Sequence, residues 1–176
     1  MPEPLSESTF ETVVETYYRP LCVFAESYVR APDIAEEIVQ DVLLWLWRRR
    51  HEVRPTGLVA YVYTAVRNRC LNQVRHQRRV DRWTTSASVD LRIAGVGQPA
   101  LGPDEAVTRQ EASDELWRAI GRLPERRREV VILRWLNDLS YAEIAAITGL
   151  TIKAVESTLN KAIKMLRRDL GATGAR

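Results

Sequence analysis

Two cysteines and two histidines in 176 residues leave little from which to build a metal centre. Cys22 and Cys70 stand alone in unrelated surroundings, with no Cys-x-x-Cys spacing and no nearby pair of histidines, which suggests neither a zinc site nor a disulfide framework. Both read as reduced residues in or near a core. His51 and His76 are equally isolated, each in a basic run. No nucleophile stands beside a base and no glycine-rich loop could hold a phosphate, so the sequence does not read as an enzyme and calls for no cofactor. Long apolar runs are missing as well: no stretch approaches the roughly 18 residues a membrane span requires. The opening MPEPLSESTFE has neither the basic start nor the apolar centre of a signal peptide. A cytoplasmic protein without membrane insertion is the expectation.

Hydrophobic residues make up 45% of the chain and charged residues 28%, a balance that supports packed cores and not a disordered polyampholyte. The net charge is only +3, but it is unevenly spread: Val66 to Val80 holds five arginines, one histidine and no acid. Lysines and arginines gathered in this way suit a polyanion, because neutralising phosphates releases condensed counterions; a solvated helix face is the plainer reading of any one run.

Helical periodicity runs from about Ser8 to Gln77 and again from about Ser113 to Leu170, with little of the alternation that marks strands. Between them TTSASVDLRIAGVGQPALGPDEA is rich in Ser, Thr, Gly and Pro and has no apolar face, as a flexible connection would. The predicted fold is all-α, with two small helical domains, near 1–80 and 113–176, joined by a linker over 81–112. Capping boxes are expected at Ser8–Glu11 and Ser140–Glu143. Pro32-Asp33 and Pro124-Glu125 suit first helical turns, where a proline needs no donor and acids favour the positive end of the dipole.

In the C-terminal half a short helix capped by Ser140 reaches Ile147, Gly149 permits a left-handed turn, and Thr151 can cap a second helix through about Asp169. Small Ala145 and Ala146 let the two helices approach closely. This is the pattern of a helix-turn-helix, whose second helix enters the DNA major groove. On that helix Val155, Leu159, Ala162, Ile163 and Leu166 share one face. Lys153, Ser157, Asn160, Lys161, Lys164 and Arg168 lie on the other, offering cations to phosphate and, in Ser157, Asn160 and Lys161, partners to base edges.

The stretch LPERRREVVILRWLNDLSYAEIAAITGLTIKAVESTLNKAIKMLRRDL, Leu123 to Leu170, resembles the C-terminal domain of bacterial sigma factors. The resemblance implies that the helix holding Lys153, Ser157, Thr158, Asn160, Lys161 and Lys164 reads the upstream (−35) promoter element and that the domain also docks on a flap of RNA polymerase. Where many relatives carry a Thr-Val-Lys-Ser-Arg type of run, this chain has Ala154-Val155-Glu156-Ser157-Thr158, with fewer cations.

The N-terminal half separates a sigma factor from a stand-alone helix-turn-helix regulator. In the helix expected from Asp33 to about Arg50, Ile34, Ile38, Val42 and Trp45 form a core stripe, while Leu43, Leu44 and Trp47 lie elsewhere beside Glu36 and Gln40. A helix apolar beyond one stripe is either fully buried or meets a partner. AEEIVQDVLLWLW, Ala35 to Trp47, is similar to the sigma-factor helix that binds the clamp of polymerase. That similarity implies a dock made of Glu36, Gln40, Leu43, Leu44 and Trp47, flanked by Glu37 and Asp41.

After a break at Arg54-Pro55-Thr56-Gly57, the segment GLVAYVYTAVRNRCLNQVRHQRR read as one helix has a buried seam of Val62, Val66, Cys70 and Val74. Asn68, Asn72, Arg75 and Arg79 line the opposite face, where amides can pair with bases and guanidinium groups can hold phosphate or stack. Tyr61 and Tyr63, two apart, cannot share a face, so at least one belongs to the core. The segment is similar to the sigma-factor element that reads the downstream (−10) promoter element and captures a base turned out of the opened strand. This implies contacts from Tyr61, Arg67, Asn68, Asn72, Arg75, Arg78 and Arg79, and a helix interrupted near Arg67 to Leu71. The order of these elements and the small size resemble the extracytoplasmic function group of the sigma-70 family. Core RNA polymerase, promoter DNA and an anti-sigma factor are the partners that resemblance implies.

Overall fold

The computed structural model describes residues 5–54, 56–81 and 103–173, all of them in helices and short turns. Helix α1 spans Glu7–Val29. Its cap lies two residues before the expected box: the Ser6 hydroxyl accepts from the Thr9 N–H at 3.2 Å. Ser6 also carries an acid, Glu7, into the first turn, where the dipole favours it. Helix α2, Pro32–Arg48, opens on its proline as the sequence predicts.

Helix α3 runs from Leu58 to Asp81 without interruption. The break implied near Arg67 to Leu71 is therefore absent. That stretch contains no glycine or proline, and an unbroken helix keeps Val62, Val66 and Cys70 on one buried face. Val74, the fourth member of that seam, is half-buried. Around this seam close Leu21 and Phe24 of α1 and Val39 and Leu46 of α2, all fully buried. Tyr63 is also fully buried, edge-on to Phe24 with centroids 5.3 Å apart. Each such side chain contributes about 1.5–3 kcal/mol by leaving water.

In the C-terminal half α4 spans Pro103–Arg122. Helix thus begins ten residues inside the stretch assigned to the linker: Pro103 followed by Asp104 and Glu105 is a helix start that composition alone reads as loop. The rest of that stretch, residues 82–102, lies outside the described residues. Helix α5, Glu125–Val131, continues into one wide turn over Ile132–Leu136, where the Asn137 N–H reaches back to the Ile132 carbonyl at 3.2 Å. Asp138 then takes φ 48° and Leu139 re-enters the core. An Asp tolerates that left-handed position better than most residues because its short polar side chain bonds locally.

Helices α6, Tyr141–Thr148, and α7, Ile152–Thr173, form the expected helix-turn-helix. The Ser140 hydroxyl accepts from the Glu143 N–H while the Glu143 carboxylate accepts from the Ser140 N–H, completing the capping box. Gly149 ends α6 at φ 74°. The Thr151 hydroxyl accepts from the Ala154 N–H at 3.2 Å at the start of α7.

The two halves pack on one another: α6 rests on α3, and α5 with its wide turn meets α1. Among the described residues no helix is long and apolar enough to cross a membrane.

Candidate nucleic-acid and partner surfaces

Helix α2 lies against α1 so that its outer face and the start of α1 form an apolar groove of about 470 Å³. Phe10, Val14 and Tyr18 form one wall, and Gln40, Leu43, Leu44 and Trp47 the other. Leu44 is 52% exposed on the rim, whereas Leu43 is buried and belongs to the floor. The residues named for a dock therefore divide, because Leu43 and Leu44 are 100° apart on the helix and only one can face outward. Trp47 packs on Phe10 with centroids 4.9 Å apart and is covered by the Arg50 guanidinium at 4.2 Å. Gln40 donates to the Tyr18 hydroxyl at 3.1 Å. Glu36 and Glu37 are exposed, and Asp41 pairs at 2.7 Å with Arg69 of α3. Asp41 thus braces α2 on α3 instead of flanking the groove. The α1 wall was missed by sequence reading, although Phe10, Val14 and Tyr18 recur every four residues, the signal that would have found it.

On α3 the structure places Asn68, Asn72, Arg75 and Arg79 on one exposed face, and Arg78 is exposed beside it. Arg75 donates to the Asn72 side-chain oxygen at 3.3 Å. Arg67 departs from this set: one residue before Asn68, it is turned about 100° away, and its Nε donates to Glu129 of α5 at 2.5 Å. Tyr61 and Tyr63 divide as their spacing requires, Tyr63 in the core and Tyr61 43% exposed.

Tyr61 stacks on Trp45 of α2 at 6.0 Å and 27°, and this pair opens onto a recess of about 300 Å³. Val42, Thr64, Ala65, Asn68 and Arg69 complete its lining. An aromatic wall, an amide and a guanidinium at the mouth of one recess can stack on a planar ring and hydrogen-bond its edge. Trp45 was read as core only; its half-buried ring serves both sides.

On α7 the apolar face is buried through Val155, Leu159, Ala162 and Leu166. Lys153, Ser157, Asn160, Lys161, Lys164 and Arg168 are all exposed, and Thr158 is half-buried at the edge. Gly149 ends α6 and Thr151 caps α7, so local chemistry fixes where α7 starts.

Between the halves, the Glu129 carboxylate accepts from both Arg67 and the Tyr28 hydroxyl, each at 2.5 Å. Burial first and Glu129 second push the Tyr28 phenol well above its ordinary value. Burial alone would lower the Arg67 pKa, but the carboxylate outweighs it and the net shift is upward. Burial, together with the nearby Arg30 charge, lowers that of Arg128.

Residues 13–80 match the family model of Sigma-70 region 2, and residues 113–166 that of Sigma-70, region 4. The chain is 31% identical over 140 residues, 77% of its length and 72% of the relative's, to the ECF RNA polymerase sigma factor RpoE of Cereibacter sphaeroides. It is 23% identical over 165 residues to the ECF RNA polymerase sigma factor SigX of Bacillus subtilis, covering 93% of this chain and 84% of that one. Among solved structures, the sigma factor RpoE of Bartonella quintana, in complex with the anti-sigma factor NepR, matches with a TM-score of 0.73 at 25% identity, over 92% of this chain and 96% of that one. CnrH, solved with the cytosolic domain of CnrY, shares the fold at a TM-score of 0.65 and 21% identity, over 95% and 90% of the two chains.

Proposed function

As a member of the extracytoplasmic function group of the sigma-70 family, the chain is an RNA polymerase sigma factor, and we propose that it docks on core polymerase through the α1–α2 groove and reads promoter DNA with α3 and α7. The observation that carries this reading is the pairing of surfaces on one small domain: an apolar groove with exposed Leu44 on its rim, beside a helix face of Asn68, Asn72, Arg75 and Arg79. A solvent-exposed apolar groove calls for a protein partner, and an amide and guanidinium face with an aromatic recess calls for unstacked bases.

In this reading the Trp45–Tyr61 recess receives a base turned out of the −10 element, with Asn68 on its edge and Arg75 and Arg79 on phosphates. Unstacking a base costs a few kcal/mol, which such a recess offsets. Helix α7 enters the major groove of the −35 element through Lys153, Ser157, Thr158, Asn160, Lys161 and Lys164. Half-exposed Trp135 and Leu116 are apolar points from which the C-terminal half can meet the polymerase flap. Two weak DNA sites carried on one enzyme gain by effective concentration, so neither has to bind tightly alone. The chain acts in the cytoplasm as a subunit and not as an enzyme, and an anti-sigma factor, as NepR is for the Bartonella quintana relative, would compete for these surfaces.

The test is co-elution of the full chain with bacterial core RNA polymerase on gel filtration. Leu44→Glu removes the apolar rim without touching the core and is expected to cost about 2–4 kcal/mol, a weakening of roughly 30- to 1,000-fold. Trp47→Glu should do the same. Wild-type protein that fails to co-elute would favour a stand-alone helix-turn-helix regulator.

A further inference from the structure

Helix α7 carries two acids, and they are placed differently. Asp169 is half-buried and pairs with Arg122 of α4 at 4.0 Å. Glu156 is exposed, on the side of the helix that also bears Lys153, three residues before it, and Asn160, four after. No side chain among the described residues pairs with it. Nor does it serve its own helix: as the fifth residue of α7 it lies past the first turn, where the dipole favours an acid. A carboxylate in the middle of a surface that meets phosphates weakens binding to DNA of every sequence. Only a donor on the DNA itself offsets that cost. We propose that Glu156 is a specificity-determining residue, its carboxylate accepting from the N4 amino group of a cytosine in the upstream element; this rests on the sigma-factor reading above, in which α7 lies in the major groove.

The choice of base follows from what a carboxylate can do. When ionised it accepts and never donates. In the major groove guanine presents the acceptors N7 and O6 and thymine the acceptor O4, whereas cytosine presents the N4 amino group and adenine the N6 amino group beside the acceptor N7. Glu156 therefore repels guanine and thymine outright. Adenine offers it one donor, but with the N7 lone pair alongside; cytosine offers a donor with no acceptor on that edge of the base. A glutamine of the same length carries both a donor and an acceptor and matches the N6 and N7 edge of adenine.

Two features put Glu156 where bases can be reached. The residues of a helix-turn-helix that contact base edges lie toward the N-terminal end of its second helix, and here Gly149 and the Thr151 cap set that end. One turn before Glu156, Ile152 is 53% exposed. An aliphatic side chain gains nothing from phosphate, but it suits the methyl group of a thymine. Ile152 and Glu156 thus form one edge of α7 fitted to bases, while Lys161, Lys164 and Arg168, further along, are left to hold the backbone.

The test is selection of promoters from a random-sequence DNA library by holoenzyme assembled from core RNA polymerase and the full chain, wild type beside Glu156→Gln and Glu156→Ala. Both replacements are on an exposed face and both are good helix formers. The wild type is expected to prefer cytosine at one upstream position by about 5-fold over guanine or thymine, the low end for a base contact because one hydrogen bond makes it. Glu156→Gln should move that preference to adenine on the same strand, and Glu156→Ala should level it, with the other positions unchanged. The move to adenine separates a carboxylate on cytosine from a lysine on the guanine across the pair. Removing the charge also strengthens binding to all sequences alike, so the ratio among the four bases is what is read. Variants that select the wild-type sequence overturn the proposal, as does a change spread evenly over every position. Both outcomes leave the sigma reading standing. A wild type that does not assemble with core polymerase overturns that reading and the proposal with it.

Discussion

Burial gives chemically identical side chains different work in this chain. Tyr63 fills the core while Tyr61 walls a recess; Arg75 faces solvent while Arg67 crosses the seam. The cysteines show the effect as a titration. Burial first, with the Glu36 charge adding to it, pushes the Cys22 thiol up to about 11, and burial pushes Cys70 up to about 12. Because the thiolate is the reactive form, alkylation by iodoacetamide at pH 8 should be roughly 100-fold slower at Cys22 in the folded protein than in the urea-unfolded chain, and slower still at Cys70. Peptide mass spectrometry after timed quenching measures both, and equal rates in the two states would mean that neither thiol is held out of water. The linkage runs the same way. A thiol with a raised folded pKa contributes its full share of stability below its unfolded value near 9, and loses it as pH rises from there toward the folded value.

Helices are where the sequence was most easily read, because their ends are fixed by neighbours in the chain. The Ser140–Glu143 box, Gly149 and Thr151 are local chemistry and stand as expected. Ser140→Ala should cost about 1 kcal/mol of stability by freeing the Glu143 N–H, seen as a lower urea midpoint with unchanged slope; an unaltered midpoint would mean that packing, and not the cap, fixes where α6 begins. Two competing hydroxyls, Ser6 and Ser8, explain the misplaced start of α1, and a run of Gly and Pro hid the start of α4 at Pro103. The opposite faces of α3 followed from spacing alone, whereas its continuity through Arg67 to Leu71 departs from what family resemblance implied. The Trp45–Tyr61 recess joins two helices, so no periodicity within one helix contains it, whereas the Phe10 wall was written in the four-residue spacing of α1 and only its meeting with α2 was not.

At the scale of the whole molecule the sequence offered two helical halves, each with a local basic run, and no view of their contact, since Arg67 and Glu129 are 62 residues apart. Their pairing is a property of the folded seam. A buried ion pair is screened far less than the exposed Asp41–Arg69 bridge, which at about half exposure is worth roughly 0–1 kcal/mol. Removing one member of a buried pair typically costs about 3–5 kcal/mol because the other is left uncompensated. The radius of gyration of the free chain should therefore stay the same, within error, between roughly 0.05 and 0.5 M NaCl. Swelling with salt would mean that long-range attraction between surface charges, and not the seam, keeps the halves together.

The groove between α1 and α2 shares no residue with the Tyr28–Arg67–Glu129 cluster of that seam. On the reading proposed above, docking on the enzyme and the reading of DNA then become separate events with separate kinetics. The first is a collision whose rate grows with polymerase concentration, and the second is a rearrangement within a complex already formed. A chain built in this way can be held in reserve on the enzyme, engaged but silent, and the choice to begin transcription is made there instead of in the surrounding solution.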